Sequence, residues 1–168
     1  MRKMLTAIDV AEYFLSKDKQ RKLFTKKLIQ KNGRSFYEGN ARLNKYLHIA
    51  QNLFIAKTGR RLFEDSLYAY DNGAIVTFVQ ENYSILFNRN VKPDISSEIS
   101  DFLDRVFLLL RNATLDELIE LSHEDVEWQN KHVFYDKQNQ KMDSMLHVAE
   151  YKEQYADVLR VMEKIKNA

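Results

Sequence analysis

Ala41-Arg-Leu-Asn-Lys-Tyr-Leu-His-Ile-Ala-Gln-Asn-Leu-Phe-Ile-Ala-Lys57 decides the fold class. Leu43, Tyr46, Leu47, Ala50, Leu53 and Phe54 recur at intervals of three and four, the spacing that builds one face of an α-helix. Asn40 stands where a side-chain cap is wanted. Gly59 stands just past the end, where a residue tolerant of positive φ closes a helix. Leu62 and Phe63 follow as a packing anchor.

Working outward, the same periodicity predicts further helices. One runs from Ala7 to about Lys17, opened by Thr6 with Asp9 three residues on. A short basic helix is expected over Lys19–Lys31, then a loop over Asn32–Gly39. Leu67–Tyr70 alternates and reads as a short extended piece, and Asp71-Asn72-Gly73 is a turn signal. Helices are then expected over Ala74–Leu86 and from a Ser96 or Ser97 cap to about Asn112. Thr114-Leu-Asp-Glu117 has the form of a capping box, in which hydroxyl and carboxylate reciprocally satisfy backbone donors. A further turn over Ser122–Lys131, a polar loop over Phe134–Lys141 and a long final helix capped by Asp143 complete the reading. The expected fold is mainly α: one compact domain over residues 1–168 with about seven helices. It carries a basic helical insert at about 17–39 and a short extended segment near 67–70.

Composition agrees. Four Gly and one Pro in 168 residues are too few for the turns of a sandwich or barrel. With no cysteine, disulfides, thiolate metal sites and thiol nucleophiles are all excluded. Val106–Leu110 is the longest apolar run, too short to cross a bilayer, and Met1–Thr6 lacks a signal-peptide core, so the expected address is the cytoplasm. Net charge is only +2 but segregated. Residues 1–34 hold ten Lys and Arg against three acids, and residues 112–130 hold six acids with no Lys or Arg.

Signals of chemistry are sparse. No glycine-rich phosphate loop follows a strand, and no Gly-x-Ser-x-Gly elbow is present. His123-Glu-Asp-Val-Glu-Trp-Gln-Asn-Lys-His132 gathers two imidazoles and three carboxylates, with His147 as a further ligand for a metal-dependent hydrolase. The spacing is not His-Glu-x-x-His, and the blander reading, that His123 fixes the local turn, is favoured. Lys17–Arg34 with Phe24, Phe36 and Tyr37 offers a nucleic-acid surface, weighed against a solvated basic helix, which is favoured because no recognition motif accompanies it. Ten Phe and nine Tyr exceed what a small helical core easily hides; Tyr68 and Tyr70 beside the turn are candidates for an exposed recognition patch.

Four segments in order carry a family resemblance. Asp9-Val-Ala-Glu-Tyr-Phe14 is similar to an opening helix of the form Asp-Val-Ala-x-Tyr-Phe. Leu43-Asn-Lys-Tyr-Leu-His-Ile-Ala-Gln51, followed by Gly59 and Leu62-Phe63, is similar to Leu-Gln-Lys-Leu-Leu-Tyr-aromatic-Ala-Gln followed by Gly and Leu-Phe. Ala69-Tyr-Asp-Asn-Gly-Ala-Ile-Val76 is similar to Ala-Trp-x-x-Gly-Pro-Val, and Ser122-His-Glu-Asp-Val-Glu-Trp128 to Thr-His-x-Glu-x-Pro-Trp. The ordered set resembles the Panacea domain of SocA-like antitoxins, also met as phage-associated proteins. Asn44, Tyr70, Ala74 and Glu127 depart from the usual residues, and the basic insert is long.

The resemblance implies a mainly helical, non-catalytic antitoxin without cofactor or metal. Such a protein binds and neutralises a cognate toxin protein, or delivers it to a protease. The residues expected to grip that partner are Lys45, His48 and Gln51, on one polar helix face above the core, with Tyr70, Asp71, Asn72, Gly73, His123 and Trp128. The alternatives are a nucleic-acid-binding regulator using the basic helix, and a metal-dependent hydrolase at His123 and His132.

Overall fold

The computed structural model describes residues 4–134 and 139–165. Among them the chain is mainly α, as expected, with more and shorter helices than the periodicity suggested. Helix α1 (Ala7–Ser16) opens on the Thr6 cap read from sequence, and Asp9 completes it into a capping box. The Thr6 hydroxyl accepts from the Asp9 N–H at 3.2 Å, and the Asp9 carboxylate accepts from the Thr6 N–H at 3.0 Å.

The basic helical insert is corrected. Residues 17–27 form turns, and Leu28–Lys31 (β1) pairs antiparallel with Arg34–Tyr37 (β2) in register Lys31↔Arg34. Asn32 (φ 51°) and Gly33 (φ 74°) form the two-residue turn. An Asn-Gly pair with both residues left-handed matches strand twist, so it is the strongest local hairpin signal and overrides the helical spacing before it. The turns ahead are fixed by two side chains. The Asp18 carboxylate accepts from the N–H groups of Lys22, Leu23 and Phe24 at 2.8–2.9 Å. The Arg21 guanidinium donates to the carbonyls of Leu15, Asp18, Phe87 and Arg89.

Helix α2 (Glu38–Thr58) is the axis of the molecule. It starts earlier than Asn40 and ends on Gly59, left-handed at φ 74°, whose N–H reaches the Ile55 carbonyl. It packs against α1 and, further along the chain, α5 (Ser97–Leu110), α6 (Leu115–His123) and α8 (Val148–Gln154). Because elements cover it on every side, 17 of its 21 residues are buried. Leu62 and Phe63 are buried anchors, as read.

Tyr68–Tyr70 is indeed extended (β3) and turns through Asp71 and Asn72 into Gly73–Ile75 (β4). The helix expected from Ala74 is therefore delayed and split, into Thr77–Glu81 (α3) and Tyr83–Phe87 (α4). Gln140–Lys141 (β5) adds to the other edge of β3, giving the order β4-β3-β5. The expected polar loop at 134–141 lies partly outside the described residues. Ser96 caps α5, and Thr114 with Glu117 makes the capping box of α6. Val126–Lys131 is α7. The long final helix is instead a 3-10 turn (Ser144–His147), α8, and α9 (Ala156–Lys164), separated at Tyr155. A single hydrophobic cluster joins α1, α2, α5, α6, α8 and α9.

Candidate functional site

Strand β4 is an edge strand, and its outward backbone groups need partners that no further strand supplies. Side chains of α2 and α6 supply them. The Ala74 N–H donates to Ser122 Oγ at 2.9 Å, the Ala74 carbonyl accepts from Lys45 Nζ at 3.0 Å, and the Val76 N–H donates to Asn44 Oδ1 at 2.9 Å. Asn44 is itself held by Asn40 at 3.0 Å. Two turns further along α2, Gln51 does the same for a loop: its amide donates to the Phe63 carbonyl and its oxygen accepts from the Leu62 N–H.

His48 sits at the centre of this polar seam. Ser122 Oγ lies 2.7 Å from His48 Nδ1, and Asp125 Oδ2 lies 2.6 Å from His48 Nε2. Since Ser122 Oγ already accepts from Ala74, its hydroxyl proton is available to His48 Nδ1, and the network assigns the ring proton to Nε2, facing the carboxylate. Asp125 accepts three more bonds: from Asn52 at 2.8 Å, from the Tyr151 hydroxyl at 2.6 Å, and from the Glu127 N–H at 2.8 Å as the cap of α7. Burial alone would raise the Asp125 carboxyl, but the donors His48, Tyr151 and Asn52 outweigh it and hold the group down at about 2.

A serine, a histidine and an aspartate in hydrogen-bonded sequence resemble the triad of acyl-transfer enzymes. Catalysis would need an approachable serine oxygen and donors poised for an oxyanion. Here Ser122 and Asp125 are wholly buried and His48 is 1% exposed, with the serine hydroxyl already committed to strand and imidazole. The arrangement locks α2, β4, α6 and α7 together.

A second device clamps the β3–β4 turn. The Trp128 ring lies between two imidazoles, 4.0 Å from His123 and 4.2 Å from His132, with interplanar angles of 18° and 13°. All three rings aim a nitrogen at the turn. Trp128 Nε1 donates to the Tyr70 carbonyl at 2.9 Å, His123 Nε2 to the Asp71 carbonyl at 3.0 Å, and His132 Nε2 to Asp71 Oδ1 at 2.8 Å. Burial lowers the His123 pKa, partly opposed by the bond to Asp71, which favours a neutral ring able to stack on indole. His123 does fix a turn, but a distant one: its bond goes to Asp71 in the β3–β4 turn and not to the turn after Leu121. Among the described residues no group of three His, Asp or Glu is placed to hold a metal ion, so the ligand cluster weighed as an alternative around His123 and His132 is not assembled.

The structure thus brings the singled-out residues together, but inward. Lys45 (1% exposed), His48 (1%) and Gln51 (3%) are not a polar face above the core, because β4, α6 and the 62–63 loop cover them. Asp71, Asn72, Gly73 and Trp128 are buried as well. Tyr68 and Tyr70 are half-buried rather than an exposed patch, and the Arg34 guanidinium lies 5.6 Å from the Tyr70 ring centroid. Asn52 and Tyr151 escaped the sequence reading, and Ser122 and Asp125 entered it only within the quoted segments, not as partners of His48. The signal for Asn52 was Asn40, Asn44, His48 and Asn52 at intervals of four, a polar stripe on a helix otherwise apolar.

The turn and the His123…Trp128 segment, two of the four segments with a family resemblance, are the two halves of one clamp. Residues 43–129, just over half of the chain, match the family described as Antitoxin SocA-like, Panacea domain. No curated protein and no solved structure matches significantly. Most of the helix that supplies the polar seam, the strand it braces and His123 with Trp128 of the clamp fall within the matched span, and the chain belongs to the family of SocA-like antitoxins, with its Panacea domain at residues 43–129.

Proposed function

We propose that this protein is a non-catalytic antitoxin that binds and neutralises a cognate toxin protein in the cytoplasm. The observation that carries this reading is the family match over residues 43–129. The buried seam supports it: the groups able to perform acid–base or nucleophilic chemistry are consumed in bracing α2, β4 and α6, which leaves a stiff body suited to presenting a surface. That surface is not the cluster predicted from sequence, since most of its residues are covered. Apolar side chains left in solvent, Phe78 and Ile85 on α3 and α4 and Phe134 and Leu146 near α7, are the better anchors for a protein partner. Among the described residues no helix is long and apolar enough to cross a membrane.

Delivery of the captured toxin to a protease is compatible with the same surface. The nucleic-acid alternative loses support, because the basic segment folds as turns and a hairpin rather than a helix, and several of its cations are engaged: Lys17 with Asp104, Lys31 with Asp116, Arg21 with four carbonyls.

Growth of cells expressing the adjacent reading frame, alone and together with this protein, tests the proposal. Toxicity relieved by co-expression, with a complex of the two chains recovered by gel filtration, is the expected result. A neighbour that is harmless alone, or whose toxicity persists beside this protein, overturns it.

A further inference from the structure

Between β2, α2 and the β3–β4 turn lies a cleft of about 320 Å³. That places it at the lower end of small-molecule sites and makes it too small for a helix or strand of a partner protein. Its floor and walls include Arg34, Phe36, Asn44, Lys45, Tyr70 and Ile75. We propose that this cleft binds a small organic oxyanion, its carboxylate or phosphate oxygens received by Arg34 and Lys45 and its flat apolar body resting on Phe36, Tyr70 and Ile75. The inference is independent of the antitoxin reading.

Charge carries the argument. Among the described residues two cations line the cleft and no Asp or Glu does. The lining asparagines are already engaged: Asn40 donates to the Gln80 carbonyl, Asn44 bridges Asn40 and Val76, and Asn72 accepts from Asn32 at 2.6 Å. They fix the walls and leave the cations to meet a ligand. Arg34 reaches Asp71 at a stretched 4.0 Å and stacks on Tyr70, and its side chain makes no hydrogen bond among the described residues. Lys45 uses one of three ammonium protons, on the Ala74 carbonyl, and faces no carboxylate within ion-pair distance among the described residues. A buried ammonium without an anion is costly, and an arriving oxyanion removes that cost.

Burial lowers the Lys45 pKa to about 7, so near neutrality the amine is poised between its two forms. The other titratable groups near it lie outside the lining: His48 on α2, His123 on α6, which senses the Lys45 charge, and Asp71 with His132 behind Arg34. Glu81 acts on the Tyr70 ring from α3. A bound oxyanion favours the charged amine, so binding takes up a proton.

Calorimetry and thermal melts of the full chain provide the test, with benzoate against benzamide and phenyl phosphate against phenol. At least one anion is expected to bind with a Kd below about 1 mM and to raise the melting temperature, with its neutral counterpart silent. Benzoate alone would assign a carboxylate, phenyl phosphate alone a phosphate. Arg34→Gln, at a half-exposed position, should weaken binding at least tenfold with little change in the melting point of the free protein. Near pH 8, binding enthalpies in two buffers of different ionisation heat should reveal proton uptake, lost in Lys45→Met; where that variant fails to fold, Arg34→Gln decides. Silence from both anions at about 5 mM, equal binding of the neutral compounds, or undiminished binding by Arg34→Gln overturns the proposal.

Discussion

Asp125 is the residue on which most of the polar seam converges. Removing its carboxylate in Asp125→Ala strands His48, Asn52 and Tyr151 in the interior and uncaps α7. The expected cost is about 3–5 kcal/mol, the range for breaking a buried charged network, read from urea unfolding. The same carboxyl sets an acid limit. Held at about 2 against about 3.9 in an unfolded chain, it contributes fully above about pH 4 and loses that contribution as the pH falls towards 2. Lys45 acts at the other end. Burial lowers it to about 7, against about 10.4 unfolded, so between those values the unfolded chain binds the extra proton and stability rises with pH. Above about pH 10 the trend reverses, because burial raises the Tyr83, Tyr151 and Tyr155 hydroxyls and the unfolded chain ionises first. Urea midpoints at pH 7, 8 and 9 should climb in the native protein, and the climb should flatten in Lys45→Met. An equal climb in that variant would assign the effect elsewhere. None of this was legible residue by residue, because Lys45, His48 and Gln51 at intervals of three read as a solvated face until the covering strand is known.

At the scale of elements, what the sequence disclosed was whatever local chemistry decides. Capping residues fixed the starts of α1, α5 and α6, and Gly59 fixed the end of α2. Thr114→Ala removes one half of the α6 capping box and should lower stability by about 1 kcal/mol in the same urea assay. What stayed hidden depended on contacts distant in sequence. Lys19–Lys31 carries a helical period, yet the Asn32-Gly33 turn draws it into a hairpin. Arg21, also left-handed at φ 54°, pins the preceding turns onto the carbonyls of α4 and its exit. The turns ahead of the hairpin lie close against α2 at Gly39. A Cβ there would collide with the Tyr83 hydroxyl and with the Thr25 backbone, which cannot swing aside as a side chain can. Gly39→Ala is therefore expected to cost about 2–3 kcal/mol and to loosen those turns first, seen as faster amide exchange at Lys22, Leu23 and Phe24 than in α2. A substitution without effect would show that the turns are not seated on α2 as described.

For the whole molecule, the uneven charge map changes meaning once the chain is folded. Ten cations near the N-terminus and six acids near residues 112–130 looked like two binding fields, but the fold joins them at one point, where Lys31 pairs with Asp116 at 2.5 Å, and turns Lys17 onto a third region, pairing it with Asp104 of α5 at 2.6 Å. A nucleic-acid binder needs a continuous row of cations to release counterions from phosphates, and affinity then falls steeply with salt. Here several of the needed cations are spent on carbonyls, rings and carboxylates of the same chain. Retention of a short duplex DNA is accordingly expected to be no tighter than about 10⁻⁴ M at about 0.15 M salt, by fluorescence anisotropy. Micromolar binding with a steep salt slope would instead mean that the hairpin opens to free its lysines, and amide exchange in β1 and β2 would then quicken on binding. Charge counted along a chain predicts a partner only where folding leaves that charge unpaired, and in this fold the intramolecular pairs come first.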